Sequence, residues 1–171
     1  MRNIKYIVIH CSDTPEGREV TAEEIDRWHR QRGFMMIGYH YVIRLDGTVE
    51  HGRPLFMKGA ACAKKDCNAC GIHICYVGGR NNQGFTVDTR TEAQKAALKS
   101  LLVNLKKQFP QAIISGHRDW DKGKACPCFN AMSLNAEVQG CLRRHLGVFH
   151  SEKHAKPLCF CVNRINVTND K

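Results

Sequence analysis

The chain has 171 residues, 43% of them hydrophobic and 25% charged, which suits one globular domain with a buried core and argues against two domains or a disordered chain. Its formal net charge of +10 favours an anionic partner, either nucleic acid or an acidic envelope polymer. The apolar run near the amino terminus is too short for a signal peptide or a membrane span, so we expect a protein that is cytoplasmic at synthesis.

The chain opens with a predicted buried strand followed by a helix. The apolar run 7–9 is typical of a strand that is covered on both faces. Thr21 begins a capping box, and apolar residues then recur at helical spacing over 22–32 until Gly33. We therefore predict a strand and an amphipathic helix in this order.

A hairpin and another buried strand come next. The stretch 38–44 alternates between apolar and polar residues, and the Asp-Gly pair at 46–47 turns the chain back as a second strand over 49–51. The run 71–77 predicts a further buried strand, which ends at a glycine pair.

The second half of the chain predicts two helices around a short strand. Thr91 starts a second capping box, and leucines on one face continue to the stop at Pro110. The apolar run 112–114 predicts a strand, and Leu134 to Leu146 predicts a last helix. The stretch from Ser151 onward has mixed polarity, and we expect it to be partly disordered.

Cysteine is abundant, with ten residues in the chain. Because the cytosol keeps thiols reduced, we expect free thiols or metal ligands rather than a disulfide framework. Cys62, Cys67 and Cys70 have the Cys-x4-Cys-x2-Cys spacing of a plant-type iron-sulfur loop, and Cys75 follows them. An adjacent lysine pair, and the ease with which cysteine fills small core positions, argue against a cluster there.

Two histidines follow buried strands, and a pair of cysteines follows the second of them. His10 closes the first strand, and His117 comes after the strand that ends near residue 114. Strands that each end in a histidine can bring both imidazoles to one edge of a sheet. Either Cys126 or Cys128, which flank Pro127, can add a thiolate, and three such ligands with an open fourth position make a hydrolytic zinc site.

Six segments of the chain resemble one enzyme family in their order. They are IVIHCSDT at 7–14, RWHRQRGF at 27–34, GYHYVIRLDGTVEHGR at 38–53, CYVGG at 75–79, GHRDW at 116–120 and KACPCF at 124–129. The chain resembles the zinc-dependent N-acetylmuramoyl-L-alanine amidases of the phage T7 lysozyme and peptidoglycan-recognition-protein type. The resemblance implies a single α/β domain in which helices flank a central mixed sheet, with the zinc site at one edge. It predicts a catalytic domain over 1–134 and an extension of unknown role over 135–171.

The resemblance also implies roles for individual residues. The Lys-x-Cys-Pro pattern of the family selects Cys126, so that His10, His117 and Cys126 would bind Zn²⁺. Tyr39 and Lys124 match the family's catalytic tyrosine and lysine, which orient the attacking water and stabilise the oxyanion.

The implied substrate is the amide that joins N-acetylmuramic acid to L-alanine in peptidoglycan. His40 and Arg53 are candidate substrate-binding residues of the groove, with a structural role as the alternative for each. We interpret His51 and His73 as ordinary hydrogen-bonded or surface histidines. The chain departs from the family at Ala61, where a histidine is frequent, and this puts substrate contacts on that side in doubt.

Three functional hypotheses follow from these residues. The first is a phage or prophage endolysin, a monomer that acts on the cell wall after its release and binds no specific nucleic acid. The second is a cytosolic amidase that recycles muropeptides, whose relatives usually have aspartate at the position of Cys126. The third is a peptidoglycan-binding module without activity, which the presence of all the catalytic residue types disfavours.

Overall fold

The computed structural model describes residues 2–147, and the tail from Ser151, which we expected to be partly disordered, lies outside them. The strands are β1 (Tyr6–Cys11), β2 (Thr14–Pro15), β3 (Tyr41–Ile43), β4 (Val49–His51), β5 (Gly71–Tyr76), β6 (Gly79–Arg80) and β7 (Ile113–Gly116). The helices are α1 (Ala22–Gln31), α2 (Lys65–Cys70), α3 (Glu92–Gln108), α4 (His117–Trp120) and α5 (Leu134–Gly147), the last preceded by a 3₁₀ turn at Ala131–Ser133.

Both predicted helices start at the expected threonine, and of the two only Thr91 forms the full capping box. The Thr21 hydroxyl accepts a hydrogen bond from the Glu24 amide at the start of α1. At α3, Thr91 and Gln94 exchange hydrogen bonds between side chain and backbone, which satisfies two amide groups that a helix start leaves without partners. The predictions of both helices are confirmed.

Five strands form the central sheet in the order β4-β3-β5-β1-β7. β1 lies parallel to both β5 and β7, β3 lies parallel to β5, and only the hairpin pair β3 and β4 is antiparallel. The short strands β2 and β6 form a separate parallel pair. The predicted mixed sheet is therefore confirmed, with β1 between two parallel neighbours.

The two faces of the sheet have different coverings. Ile7 and Ile9 of β1 pack into the larger apolar cluster, which includes the leucines of α3 and Val138 of α5. Ile25 of α1 belongs to a smaller cluster with Val42 on the other side. Side chains alternate along a strand, so Val8 and His10 face the other side of the sheet, which α1 covers.

None of the helices within residues 2–147 is both long and apolar enough to cross a membrane.

Candidate metal centre

The sheet topology brings the two strand-end histidines together. His10 lies near the carboxyl end of β1, and His117 directly follows β7, the parallel neighbour of β1. Parallel neighbours end at the same edge of a sheet, and the two imidazole rings lie 4.8 Å apart between centroids. Cys126 joins them from the loop after α4, with its Sγ 3.9 Å from His10 Nδ1. The ligand atoms of these three residues all lie within 4.8 Å of one another.

The loop that carries Cys126 is held to the sheet by hydrogen bonds to its carbonyl groups. The Arg118 guanidinium donates twice to the Ala125 carbonyl, at 3.0 and 2.6 Å, and the Arg118 amide donates to the Cys126 carbonyl at 2.8 Å. The buried Tyr76 hydroxyl donates to the Pro127 carbonyl at 2.7 Å. The thiol position is therefore fixed from both sides of the residue.

The geometry separates Cys126 from its rival Cys128. The Cys126 sulfur accepts a hydrogen bond from the Cys11 amide at 3.2 Å and lies 3.9 Å from His10 Nδ1. The Cys128 sulfur instead lies 3.8 Å from the Cys11 sulfur and donates to the Gly79 carbonyl at 3.4 Å. The hydrogen bond with Cys11, together with burial, raises the pKa of the Cys128 thiol. Cys128 therefore stays a thiol and lies outside the triad.

Both histidines of the triad are neutral, as metal binding requires. Burial lowers the pKa of His10 well below its ordinary value, and the neighbouring His73 and His117 rings lower it further. Burial also lowers the pKa of His117, with a smaller contribution from the Lys124 ammonium group. Two neutral imidazoles and one thiolate form a donor set that suits Zn²⁺ and leaves the fourth tetrahedral position to water or substrate.

Tyr39 and Lys124 lie beside the triad. The Tyr39 ring is 5.2 Å from the His10 ring, and burial, followed by the nearby thiols of Cys75 and Cys126, raises the pKa of its hydroxyl, so that it remains a proton donor. Lys124 is exposed on the loop that carries Cys126. Among the described residues, none of the ion pairs includes Lys124.

These groups share one cleft of about 800 Å³. His117, Cys126, Tyr39 and Lys124 all line it, together with residues of α1 and of the loops around 60–63 and 121–128. Clefts that bind drug-sized ligands measure roughly 300–1,000 Å³. The cleft therefore has room for an extended ligand next to the triad.

The comparisons with known proteins agree with this arrangement. The profile of the family described as N-acetylmuramoyl-L-alanine amidase matches residues 1–129. The chain belongs to this amidase family. The endolysins of Klebsiella phage KP32 and Escherichia phage T7 are 41% and 38% identical to it over 124 residues, which cover 72% of this chain and 80% of each relative.

A solved structure supports the same conclusion. The N-acetylmuramoyl-L-alanine amidase LysC from Clostridium intestinale URNW superposes with a TM-score of 0.65 at 29% identity, covering 83% of this chain and 87% of that one. The resemblance found in the sequence motifs is thus confirmed, and with it the prediction that the protein is an amidase.

Two candidate substrate-binding residues of the amidase lie outside the cleft. His40 and Arg53 are 1% and 8% exposed, and neither lines the cleft. The Arg53 guanidinium donates to the carbonyls of Ile37 and Lys58, both at 2.8 Å. The His40 ring lies within hydrogen-bonding distance of the Met57 carbonyl and accepts from the His73 amide. Their polar groups are used within the protein, so both have the structural role that was the alternative to substrate binding.

The cysteines with iron-sulfur spacing do not come together as ligands. Within residues 2–147, the only group of histidines, cysteines and carboxylates close enough to hold a metal is the triad of His10, His117 and Cys126. Cys67 and Cys75 are fully buried, and burial raises the pKa of both thiols. They occupy small core positions, as the sequence analysis favoured.

The sequence analysis interpreted His73 as an ordinary hydrogen-bonded or surface histidine, and the structure shows the hydrogen-bonded alternative. It is completely buried in β5, and its Nδ1 lies 2.9 Å from Nε2 of His10. The signal available in the sequence was its position in the middle of an apolar strand, where a polar residue requires a buried partner.

Proposed function

We propose that this amidase hydrolyses the bond between N-acetylmuramic acid and L-alanine of peptidoglycan with the help of Zn²⁺, as a phage or prophage endolysin. The observation that carries the proposal is the convergence of two imidazoles and one cysteine sulfur, of which His117 and Cys126 line the cleft. The endolysins of phages KP32 and T7, which share 41% and 38% of their aligned residues with this chain, support the cell-wall role.

His10, His117 and Cys126 would hold the ion through Nδ1 of His10, a nitrogen of His117 and the Cys126 sulfur. When bound, zinc supplies Lewis acidity, which makes water nucleophilic near neutral pH. The other protein groups then have to orient the water, neutralise the charge that develops on the carbonyl oxygen and protonate the leaving amine.

Tyr39 supplies a fixed hydrogen bond next to the triad. Because its pKa is raised, the hydroxyl keeps its proton at neutral pH and can donate to an oxygen that becomes negative. Lys124 supplies a positive charge that no carboxylate in the described part of the chain neutralises. An ammonium group in this position stabilises the oxyanion of a tetrahedral intermediate.

The charge of the chain fits the same substrate. Peptidoglycan stems carry free carboxylates, and a protein with a formal net charge of +10 is attracted to such a polymer over a range set by the ionic strength. The protein would act as a monomer on the cell wall after its release from the cell interior. The protein would bind no specific nucleic acid.

The test combines metal content with bond cleavage on one preparation. Purified protein should contain one zinc per chain and release new L-alanine amino termini from purified peptidoglycan. A chelator should abolish release, and added zinc should restore it. Tight binding to the wall without release would assign the protein to the binding-module class, and release that is insensitive to chelator would overturn the role of the metal.

A further inference from the structure

Three buried histidines form a layer behind the candidate metal centre. His10, His40 and His73 are each 1% exposed or less. His10 Nε2 lies 2.9 Å from His73 Nδ1, and the His73 backbone amide donates to His40 Nδ1 at 2.9 Å. His73 Nε2 lies 3.2 Å from the Cys67 carbonyl. One nitrogen of His10 thus faces the Cys126 sulfur of the triad, and the other nitrogen contacts His73 within this layer.

The hydrogen-bond partners determine which nitrogen of each ring carries its proton. A carbonyl oxygen only accepts, so His73 Nε2 must carry the proton that it donates to Cys67. His73 is completely buried, and its ring nitrogens face a carbonyl and another imidazole rather than a carboxylate, so the ring is neutral and its Nδ1 is an acceptor. The proton between the two rings therefore belongs to His10 Nε2. His10 Nδ1 is left with a free lone pair, and it is this nitrogen that faces the Cys126 sulfur.

We propose that His73 is a positioning residue for the metal centre: by accepting the Nε2 proton of His10, it holds that ring in the tautomer and orientation in which Nδ1 binds the ion. The proposal rests on the metal role of His10 in the proposed function. A histidine that binds a metal usually donates its other N–H group to a carboxylate, a backbone carbonyl or water. Here a neutral imidazole takes the place of that acceptor.

The surroundings of His73 leave it little freedom to move. A Cβ atom on Gly59 would lie 2.6 Å from His73 Nε2, and one on Gly71 would lie 3.2 Å from the same atom. The ring is therefore enclosed by backbone on the side away from His10. Because His73 is completely buried, the loss of its Nδ1 leaves the His10 N–H without a partner.

Two substitutions separate the roles of the two ring nitrogens. His73→Asn places a side-chain oxygen near the position of Nδ1 and keeps the acceptor for His10. His73→Gln places an amide nitrogen near the position of Nε2 and keeps the donor to Cys67, but it removes the acceptor. We expect His73→Gln to weaken zinc binding by roughly 10- to 100-fold, the usual effect of losing such a partner, and His73→Asn to stay within about 3-fold of wild type.

Zinc affinity is measured by competition with a chromophoric chelator, on variants whose circular dichroism and urea midpoint show that they are folded. The second measurement is the ¹⁵N chemical shift of the imidazole nitrogens in the metal-free wild-type protein, which reports the tautomer of His10 and needs no variant. A protonated Nε2 and an unprotonated Nδ1 are expected. Equal zinc affinity in both variants and wild type, or a proton on His10 Nδ1, would overturn the positioning role. Failure of the wild-type protein to bind zinc would instead overturn the zinc proposal, while the tautomer still decides the assignment of His73.

Discussion

Adding a single methyl group at Gly59 tests the packing behind the candidate metal centre. The new Cβ atom would overlap the His73 ring, closest to Cδ2 and 2.6 Å from Nε2, whereas non-bonded heavy atoms pack at roughly 3.5–4.0 Å, so the ring must move by more than about 1 Å. Hydrogen bonds from the ring to His10 and to the Cys67 carbonyl oppose that movement. We therefore expect Gly59→Ala to lower the free energy of unfolding by about 1–3 kcal/mol, the common cost of overpacking a core.

Urea unfolding of the metal-free protein, followed by circular dichroism, measures this change. Gly140→Ala is the matched control, because it adds the same methyl group within α5, where nothing lies within 4 Å of the new atom. Alanine is a better helix former than glycine, so the control should gain about 0.5–1 kcal/mol. Two variants of equal stability would refute the view that the His73 ring is held in place.

Other substitutions and conditions test the site itself. Cys126→Ala should weaken zinc binding by roughly 100-fold or more, because structural zinc sites gain about 10–16 kcal/mol from four ligands together and the loss of one removes a substantial share. Cys128→Ala should change the zinc affinity by less than about 3-fold. Competition with a chelator measures both zinc affinities, and a larger loss in Cys128→Ala than in Cys126→Ala would reassign the ligand to Cys128. Lys124→Met should keep zinc but lower kcat by roughly 100- to 1,000-fold, the effect of losing an oxyanion donor; turnover at the wild-type rate would exclude that role. Burial lowers the pKa of His29 and His40 to about 4 in the folded protein. As the pH falls below the ordinary histidine value of about 6.5, the unfolded chain binds protons first, so stability should fall by roughly 1.4 kcal/mol per pH unit for each group until about pH 4. Urea midpoints that stay constant between pH 6.5 and 4.5 would contradict this assignment.

Much of the fold could be predicted because the local signals were strong. The capping boxes at Thr21 and Thr91 and the apolar runs of β1 and β5 are patterns that depend only on nearby residues. The two histidines of the triad were predicted from a simple topological argument, since strands that each end in a histidine can bring both imidazoles to one sheet edge. The parallel pairing of β1 and β7 that does so is an observation in the structure.

What could not be predicted depends on contacts between distant segments. His40 and Arg53 belong to a sequence motif whose Tyr39 lines the cleft. Only the folded structure shows that their own polar groups bond to backbone carbonyls instead. The position of His73 in an apolar strand indicates that it needs a buried partner, but not that this partner is His10, which lies 63 positions away in the chain. Composition and periodicity describe how a strand is covered, but not which buried polar groups meet across it.

The parallel placement of β7 beside β1 also determines when the metal centre can exist. His10 and Cys126 are 116 positions apart in the chain, and β7 is an edge strand that is the last to join the sheet in sequence order. Closing so long a loop costs chain entropy before any contact forms, so pairing of this kind comes late in folding. During synthesis the emerging polypeptide holds a single ligand until residue 117 has left the ribosome. An ion held by the three residues of the triad would stabilise the completed sheet and none of its precursors, so its capture would mark the end of folding.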